Sequence, residues 1–527
     1  MPETQEFDVI IIGGGINGCG TFRDLCLQGV RCLLLERDDF CAGASGASSR
    51  LMHGGLKYIE TGEFRLVKEA LVERNMLLRT APHYVKPLEC VVPATSIWGG
   101  AVAALARAIG FRARMRDRGL VVTRLGLALY DLFGRAWRAM PRHHMWGRGS
   151  LRRLLPAIDA RFIGAGVYHE GQLTHAERLG LELVLDGRKA NSNSRAENHV
   201  QVLGFAEDVL QYRRADGATV RVRARAIVNA AGAWIDRVNA DLGLPTQLMG
   251  GSRGSHLVVD NPALLRALNG RMIYFGTPDG RVNLLYPFFG KVLIGATDIV
   301  QPDPDDARCS SQEVAYLIAA VAGVFPDIPI LDAQIVHRFC GVRPLPRAAG
   351  DVGAVTRDHS IVTLTLPGSS VPLHCLIGGK WTTFRAFAEQ ATDMVLADLG
   401  LRRHTSTAGL AIGGGQGFPR NEAERIRIID EIARRGGVPR ARAEALLARY
   451  GAGALGYCAG LQGRGEQYLT HAPDYAREEI LHSVAHEYAK TLDDLILRRT
   501  LLGMTGQDGP ALRAELADLL GQLQPTS

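Results

Sequence analysis

Phe7-Asp8-Val9-Ile10-Ile11-Ile12-Gly13-Gly14-Gly15-Ile16-Asn17-Gly18 decides how the rest of the chain is read. Phe7 to Ile12 is an apolar, β-branched run of strand length, and a helical stretch from about Gly15 to Gln28 follows it. Val30 to Leu35 is a second apolar run, ending at Glu36. This order predicts a βαβ unit. In Gly13-x-Gly15-x-x-Gly18 the first glycine permits the tight turn and the second lets backbone approach a pyrophosphate. The third lets helix and strand pack closely, and the helix N-terminus faces the phosphate charge. Glu36, eighteen positions after Gly18, is placed to accept hydrogen bonds from a ribose diol. Its carboxylate would repel a 2′-phosphate, which disfavours NADP.

The βαβ unit alone does not choose between FAD and NAD. A nicotinamide enzyme would more often continue with alternating βα units, whereas this chain leaves for a long insertion. It returns through Ala226-Ile227-Val228-Asn229-Ala230-Ala231-Gly232-Ala233-Trp234 and again at Ile377-Gly378-Gly379. A flavin held by segments distant in sequence fits that layout. Two other glycine clusters are decoys. Gly413-Gly414-Gly415-Gln416-Gly417 has Phe418 where a third fingerprint glycine belongs. Gly378-Gly379-Lys380-Trp381 lacks the spacing of a P-loop.

The totals bound the rest. A chain of 527 residues suits two or three domains. With 46% hydrophobic and 22% charged residues it can bury a large core and is not globally disordered. A net charge of +7 favours anionic partners. No nucleic-acid-binding module is visible. The first residues do not read as a secretory signal, and no apolar run reaches membrane-spanning length. The nine cysteines form no Cys-x-x-Cys pair. They read as thiols of a reducing cytoplasm, and no metal site is predicted.

Residues 101–155 hold twelve arginines and only two acids, Asp117 and Asp131, interleaved with leucine and aromatic residues. This stretch reads either as an ordinary basic surface or as a contact with anionic lipid on the route to a quinone. A sheet-rich region follows over about 198–365, with strands at Gly250–Asp260, Asn283–Pro287 and Val292–Thr297. From Asn421 the chain is polar and helical in period.

Several segments together resemble the flavin-dependent glycerol-3-phosphate dehydrogenase family. They are Ile11 to Gly18; Ala47-Ser48-Ser49-Arg50-Leu51-Met52-His53-Gly54-Gly55-Leu56-Lys57-Tyr58; Glu63 to Val67; Gly254-Ser255-His256; Gly295-Ala296-Thr297-Asp298; Gly341-Val342-Arg343-Pro344-Leu345; Thr356-Arg357-Asp358; and Gly379-Lys380-Trp381-Thr382-Thr383-Phe384-Arg385. They run in the family's order over about residues 6–400. Arg50 and Arg253 stand where the family usually has lysine, and Lys57 where it usually has arginine.

The resemblance implies an α/β fold: a glutathione-reductase-like FAD-binding Rossmann domain, an antiparallel β-rich substrate domain and a helical C-terminal domain. The expected core spans 1–400, with FAD-binding parts at about 1–95, 170–250 and 335–400. A capping part lies at about 251–334, the basic insertion at about 97–155, a linker at 401–420 and the helical domain at 421–527. The implied reaction is oxidation of sn-glycerol 3-phosphate to dihydroxyacetone phosphate. Electrons would pass through FAD to a membrane quinone on the cytoplasmic face of the membrane. Relatives acting on erythritol phosphate, and amine or amino-acid oxidases on the same scaffold, are the alternatives. The oligomeric state stays open, a homodimer included.

The expected cofactor ligands are Gly13, Gly14, Gly15, Asn17, Gly18, Glu36, Arg37, Ser45, Ser48, Ser49, Arg50, Leu51, His53, Gly54 and Gly55. Ala231, Gly232, Trp234, Gly378, Gly379 and Thr382 complete that set. Oxidising a secondary alcohol with a flavin also requires fixed positive charge for the phosphate and an acceptor for the hydroxyl proton. Arg343, in a constrained Gly-Val-Arg-Pro turn, is the expected phosphate ligand. Lys380 is expected to touch substrate or flavin, and His256 to accept the proton, with His53 as its rival. Lys57, Tyr58, Thr297, Asp298 and Arg357 are further expected substrate contacts.

Overall fold

The computed structural model describes residues 4–56, 59, 63–100, 119–135, 138–347 and 358–522. The βαβ unit forms where expected. Val9–Ile12 and Cys32–Leu35 pair in parallel, joined by α1 (Ile16–Leu27). They belong to a six-stranded sheet ordered Ser360–Thr365, Pro372–Ile377, Ala226–Asn229, Val9–Ile12, Cys32–Leu35, Arg195–Glu197. All of its pairs are parallel except that of Ser360–Thr365 with Pro372–Ile377. The first late return of the chain therefore lies next to Val9–Ile12, and the second lies next to the first return.

Three further helices frame the site: α2 (Leu120–Phe133), α3 (Ala176–Ala190) and α4 (Phe384–Leu399). α1 packs between α3 and α4. Alternation along the first strand feeds two cores, because successive side chains leave a strand on opposite faces. Val9 and Ile11 join the helix-side core, while Ile10 and Ile12 join the core shared with a four-stranded sheet on the other face.

The capping sheet is larger than its expected span of 251–334. Ser252–Val259, Met272–Gly276, Val282–Phe288 and Lys291–Gly295 form its centre. Val85–Ala94 and Gly164–Leu173 pair over their full lengths and extend it, and Leu51–Met52 adds an edge. Ile335–Arg343 pairs with Ser252–Val259, so the return expected at 335–400 is divided between the two sheets. Strand pairing is non-local: the sequence placed three of these strands, at 250–260, 283–287 and 292–297, without naming their partners, and did not place the others.

Residues 401–420, expected as a linker, form a packed seam. The Ile412 amide donates to Thr80 O at 2.9 Å and the Gly414 amide to Glu182 Oε2 at 3.2 Å. A side chain on Gly414 would run into the Tyr450 carbonyl. Beyond it stand the helices Glu422–Gly436, Arg440–Tyr450, Ala454–Leu461, Arg477–His486 and Pro510–Gly521, built on two small cores. Asn421 caps the first of them through its side chain, and Gly437 closes it at φ +67°.

Of the basic insertion, Arg107, Arg112, Arg114, Arg116 and Arg118 lie outside the described residues. α2 turns Thr123, Leu127 and Tyr130 inward. Its outer face carries Leu125, Leu129 and Leu132, exposed at 63%, 39% and 47%, and Trp98 beside its N-terminus is 69% exposed. Among the described residues, no helix is long and apolar enough to cross a membrane.

Candidate active site

The glycine turn is built as its spacing requires. Gly13 has φ +105°, and a Cβ there would come within 2.6 Å of the Ala230 carbonyl carbon. A Cβ on Gly18 would run into the Gly13 carbonyl oxygen, so α1 meets the turn backbone to backbone. Gly15 caps α1 with extended backbone. The helix has no acid in its first turn and no side-chain cap on Gly15, so no carboxylate competes for an anion there. Ser45 Oγ accepts from the Ile16 amide at 3.0 Å. Glu36 accepts from the Gly14 and Asp38 amides, and burial pushes its carboxyl up from the ordinary range.

The late returns complete a cradle. Ala231 donates to Asn229 Oδ1 at 3.1 Å, and Gly232 has φ +60°. Trp234 donates to Asp305 Oδ1 at 2.7 Å, with the Arg37 guanidinium 5.0 Å from its ring centroid. Gly378 and Gly379 have φ of +80° and +97°, and Asn17 Nδ2 donates to Gly378 O at 3.1 Å. Asn17 Oδ1 is buried and takes no hydrogen bond within the protein. Thr382 is buried, and its neighbour Trp381 donates to Ser45 O at 2.9 Å. A glycine cradle, a helix N-terminus, a diol-accepting carboxylate and an orphaned buried acceptor fit a dinucleotide such as FAD.

Over this cradle the capping sheet presents His256 and Arg343. His256 Nε2 lies 2.8 Å from Ser49 Oγ, and the ring stacks on Phe339 at 4.9 Å. Its other nitrogen is buried and takes no hydrogen bond within the protein. Gly295 lies under the ring where any side chain would collide with it. Burial first, then the charges of Arg343 and Arg50, push the His256 pKa down to about 3, so the imidazole is neutral.

Arg343 Nη1 lies 3.1 Å from both Asp298 Oδ1 and Ser252 Oγ, and Nη2 donates to Thr297 O at 3.0 Å. The guanidinium packs over Gly254, which has no room for a Cβ. Lys380 follows the two positive-φ glycines; its ammonium nitrogen is buried and its charge acts on Glu69 and His359. Lys57, Tyr58 and Arg357 lie outside the described residues.

One expectation needs correction. Arg50 is buried, and its guanidinium is committed to both oxygens of Glu177 rather than to a ligand. The Thr297 hydroxyl accepts from the Ser255 amide and donates to Glu313 Oε1 at 2.7 Å, so toward a substrate hydroxyl it could only accept. Leu51 is a core residue of the capping sheet's edge strand, and Ser48 Oγ accepts from the Arg50 amide at 3.2 Å.

Sequence reasoning missed a second layer. Glu170 is fully buried and accepts from the Gly54 amide, Arg74 and Tyr130, with His53 Nδ1 3.9 Å away. Gly54 itself abuts the Tyr130 hydroxyl, and Gly55 has φ +82°. Glu313 ties Thr297, Ser255 and Arg253 together. Ser310-x-x-Glu313 is a capping box and could have been read as such. Nothing local marked Glu170 or Arg74.

Comparison with known proteins agrees with this geometry. Residues 8–385 match the family described as FAD dependent oxidoreductase, and residues 405–524 match the C-terminal domain of alpha-glycerophosphate oxidase. A glycerol-3-phosphate dehydrogenase of Synechocystis sp. is 32% identical over 535 residues, covering 96% of this chain and 91% of that protein. A D-erythritol 1-phosphate dehydrogenase of Brucella abortus is 31% identical, covering 95% of each. Among solved structures, the glycerol-3-phosphate dehydrogenase from Bacillus halodurans complexed with FAD superposes with a TM-score of 0.73 at 23% identity. That match covers 99% of this chain and 92% of the other. With a family match over most of its length and a close relative spanning nearly all of it, this chain belongs to the FAD-dependent oxidoreductase family that contains the glycerol-3-phosphate dehydrogenases.

Proposed function

We propose that the chain oxidises a small phosphorylated polyol, sn-glycerol 3-phosphate, to the corresponding ketone, dihydroxyacetone phosphate. The observation that carries this reading is a neutral buried imidazole and a fixed guanidinium on one sheet, set over a dinucleotide cradle. The chemistry supplied by bound FAD is acceptance, at N5, of the hydride that leaves the carbinol carbon. Arg343 binds the phosphate; Asp298 and the Thr297 carbonyl hold its fork in one orientation. His256 takes the hydroxyl proton, and Ser49 orients the ring. Lys380 adds a second positive charge from the Gly378-Gly379 turn.

The electrons leave for a membrane quinone, and the protein sits peripherally on the cytoplasmic face of the cell membrane. The exposed leucines of α2, with Ile97 and Trp98 at its N-terminus, support this part of the proposal.

Anaerobic mixing of the purified yellow protein with sn-glycerol 3-phosphate tests the reading. The flavin absorbance is expected to bleach. Bleaching with D-erythritol 1-phosphate alone would move the substrate to the larger polyol. No bleaching with any polyol phosphate, but bleaching with an amino acid, would replace the proposal with an amine-oxidising activity.

A further inference from the structure

The C-terminal helical domain reaches the back of the dinucleotide cradle. The loop after Glu36 runs Arg37-Asp38-Asp39-Phe40-Cys41, and Phe40 Cδ1 occupies the space a side chain on Gly14 would need. The Cys41 amide donates to Gly14 O at 2.9 Å. This loop is thus the rear wall of the turn that faces the pyrophosphate. On its other side, Glu36 and Asp38 accept from the amides of Val200 and His199.

Both flanks are gripped from the C-terminal domain. Arg499 donates to the two oxygens of Asp39 at 2.6 and 2.9 Å, all of them buried, and its Nε donates to Glu487 O. Tyr488 meets Phe40 edge to face at 5.4 Å, and its carbonyl accepts from Asn198 Nδ2. Lys490 Nζ donates to Asn198 O, and Asp494 accepts from His199 Nε2 at 2.9 Å. Asp39, His199 and Asp494 stand close enough to hold a cation. Arg499 already supplies the positive charge, and the amides of Lys490 and Thr491 both donate to Asp494 Oδ2, the oxygen that His199 also meets.

We propose that residues 487–499 form a clamp that positions the dinucleotide-binding turn, with Arg499 as its principal positioning residue, so that FAD retention depends on docking of the C-terminal domain. The clamp does not depend on which substrate is bound. A bidentate pair in a dry interface is directional, and it fixes Asp39 next to the wall that Gly14 packs against. Loss of the pair frees the loop, and Gly14 and the Glu36 carboxylate lose their fixed distance from α1. Linkage makes the effect reciprocal: a ligand that needs the closed loop also stabilises the docked segment.

The test compares FAD release from purified holoprotein, followed by the fluorescence of free flavin. Arg499→Met is expected to release FAD about tenfold faster or more, as a broken buried charge pair raises an off-rate. Asp39→Asn combined with Arg499→Met avoids a lone buried carboxylate and is expected to stay fast. Arg442→Met removes a buried pair inside the C-terminal domain, with Glu466 and Glu479, away from the loop. It controls for lost stability and is expected to release FAD at the native rate. If Arg499→Met does not fold, Arg499→Lys, which keeps the charge but not the fork, is expected to be intermediate. Removing FAD from the native protein is expected to speed amide exchange over 487–499. Equal release from the Arg499 and Arg442 variants, or exchange there that ignores FAD, would overturn the clamp.

Discussion

His256 shows what a buried imidazole costs and supplies. Its pKa of about 3 lies below the 6.5 of an ordinary histidine. Between those values the unfolded chain binds a proton that the folded one refuses, so unfolding takes up a proton. The stabilising effect is complete above pH 6.5 and drains away as pH falls towards 3. His256→Gln is expected to flatten this part of the curve of melting temperature against pH; parallel curves for the two proteins would contradict the assignment. The same variant is expected to lower kcat by about 10²–10⁴-fold if the ring takes the substrate proton. His256 and Arg343 were found in the sequence because the resemblance pointed to them. Arg50 was misread for a physical reason: its partner Glu177 is a hundred and twenty-seven positions away, and a local pattern does not show a distant carboxylate.

At the scale of elements, the turn from Val9–Ile12 into α1 was fully legible. Each glycine answers a close approach that the fingerprint demands. Gly18→Ala would drive a methyl group into the Gly13 carbonyl and push α1 off the strand. Such overpacking costs about 1–3 kcal/mol. The variant is expected to emerge with a flavin-to-protein ratio well below one; a fully loaded, fully yellow variant would show that the turn tolerates the shift. Three strand positions were also legible, at 252–259, 282–288 and 291–295. Their company was not. Val85–Ala94 pairs in parallel with Met272–Gly276 and antiparallel with Gly164–Leu173, a choice made by side-chain packing across the sheet.

At the scale of the whole molecule, two surfaces carry the proposal beyond chemistry. The outer face of α2 repeats leucine at 125, 129 and 132, the spacing of one helical stripe. Replacing all three with serine is expected to weaken binding to anionic vesicles by about tenfold or more, since each leucine forfeits its apolar burial. Sedimentation with vesicles of defined lipid content would measure it, and unchanged binding would remove α2 from the contact. The seam at 401–420 is the second surface. It read as a linker because of the glycine run Gly413-Gly414-Gly415 followed by Pro419. In the structure those small residues let backbones touch on both sides of the seam, Gly415 against Thr80 and Gly414 against Tyr450.

The neighbours of Val9–Ile12 have a consequence for the order of events on the ribosome. Ala226–Asn229 lies beside the first strand, and Pro372–Ile377 lies beside Ala226–Asn229. A nascent chain that has emerged as far as its middle owns the glycine turn and Ala226–Asn229 but not Pro372–Ile377. Until the third strand arrives, the edge of Ala226–Asn229 stays open to pairing with the wrong partner, the hazard of any sheet assembled from distant segments. Birth of the site is therefore a late event in synthesis, and the chain must stay soluble for most of its translation before a flavin has anywhere to lodge.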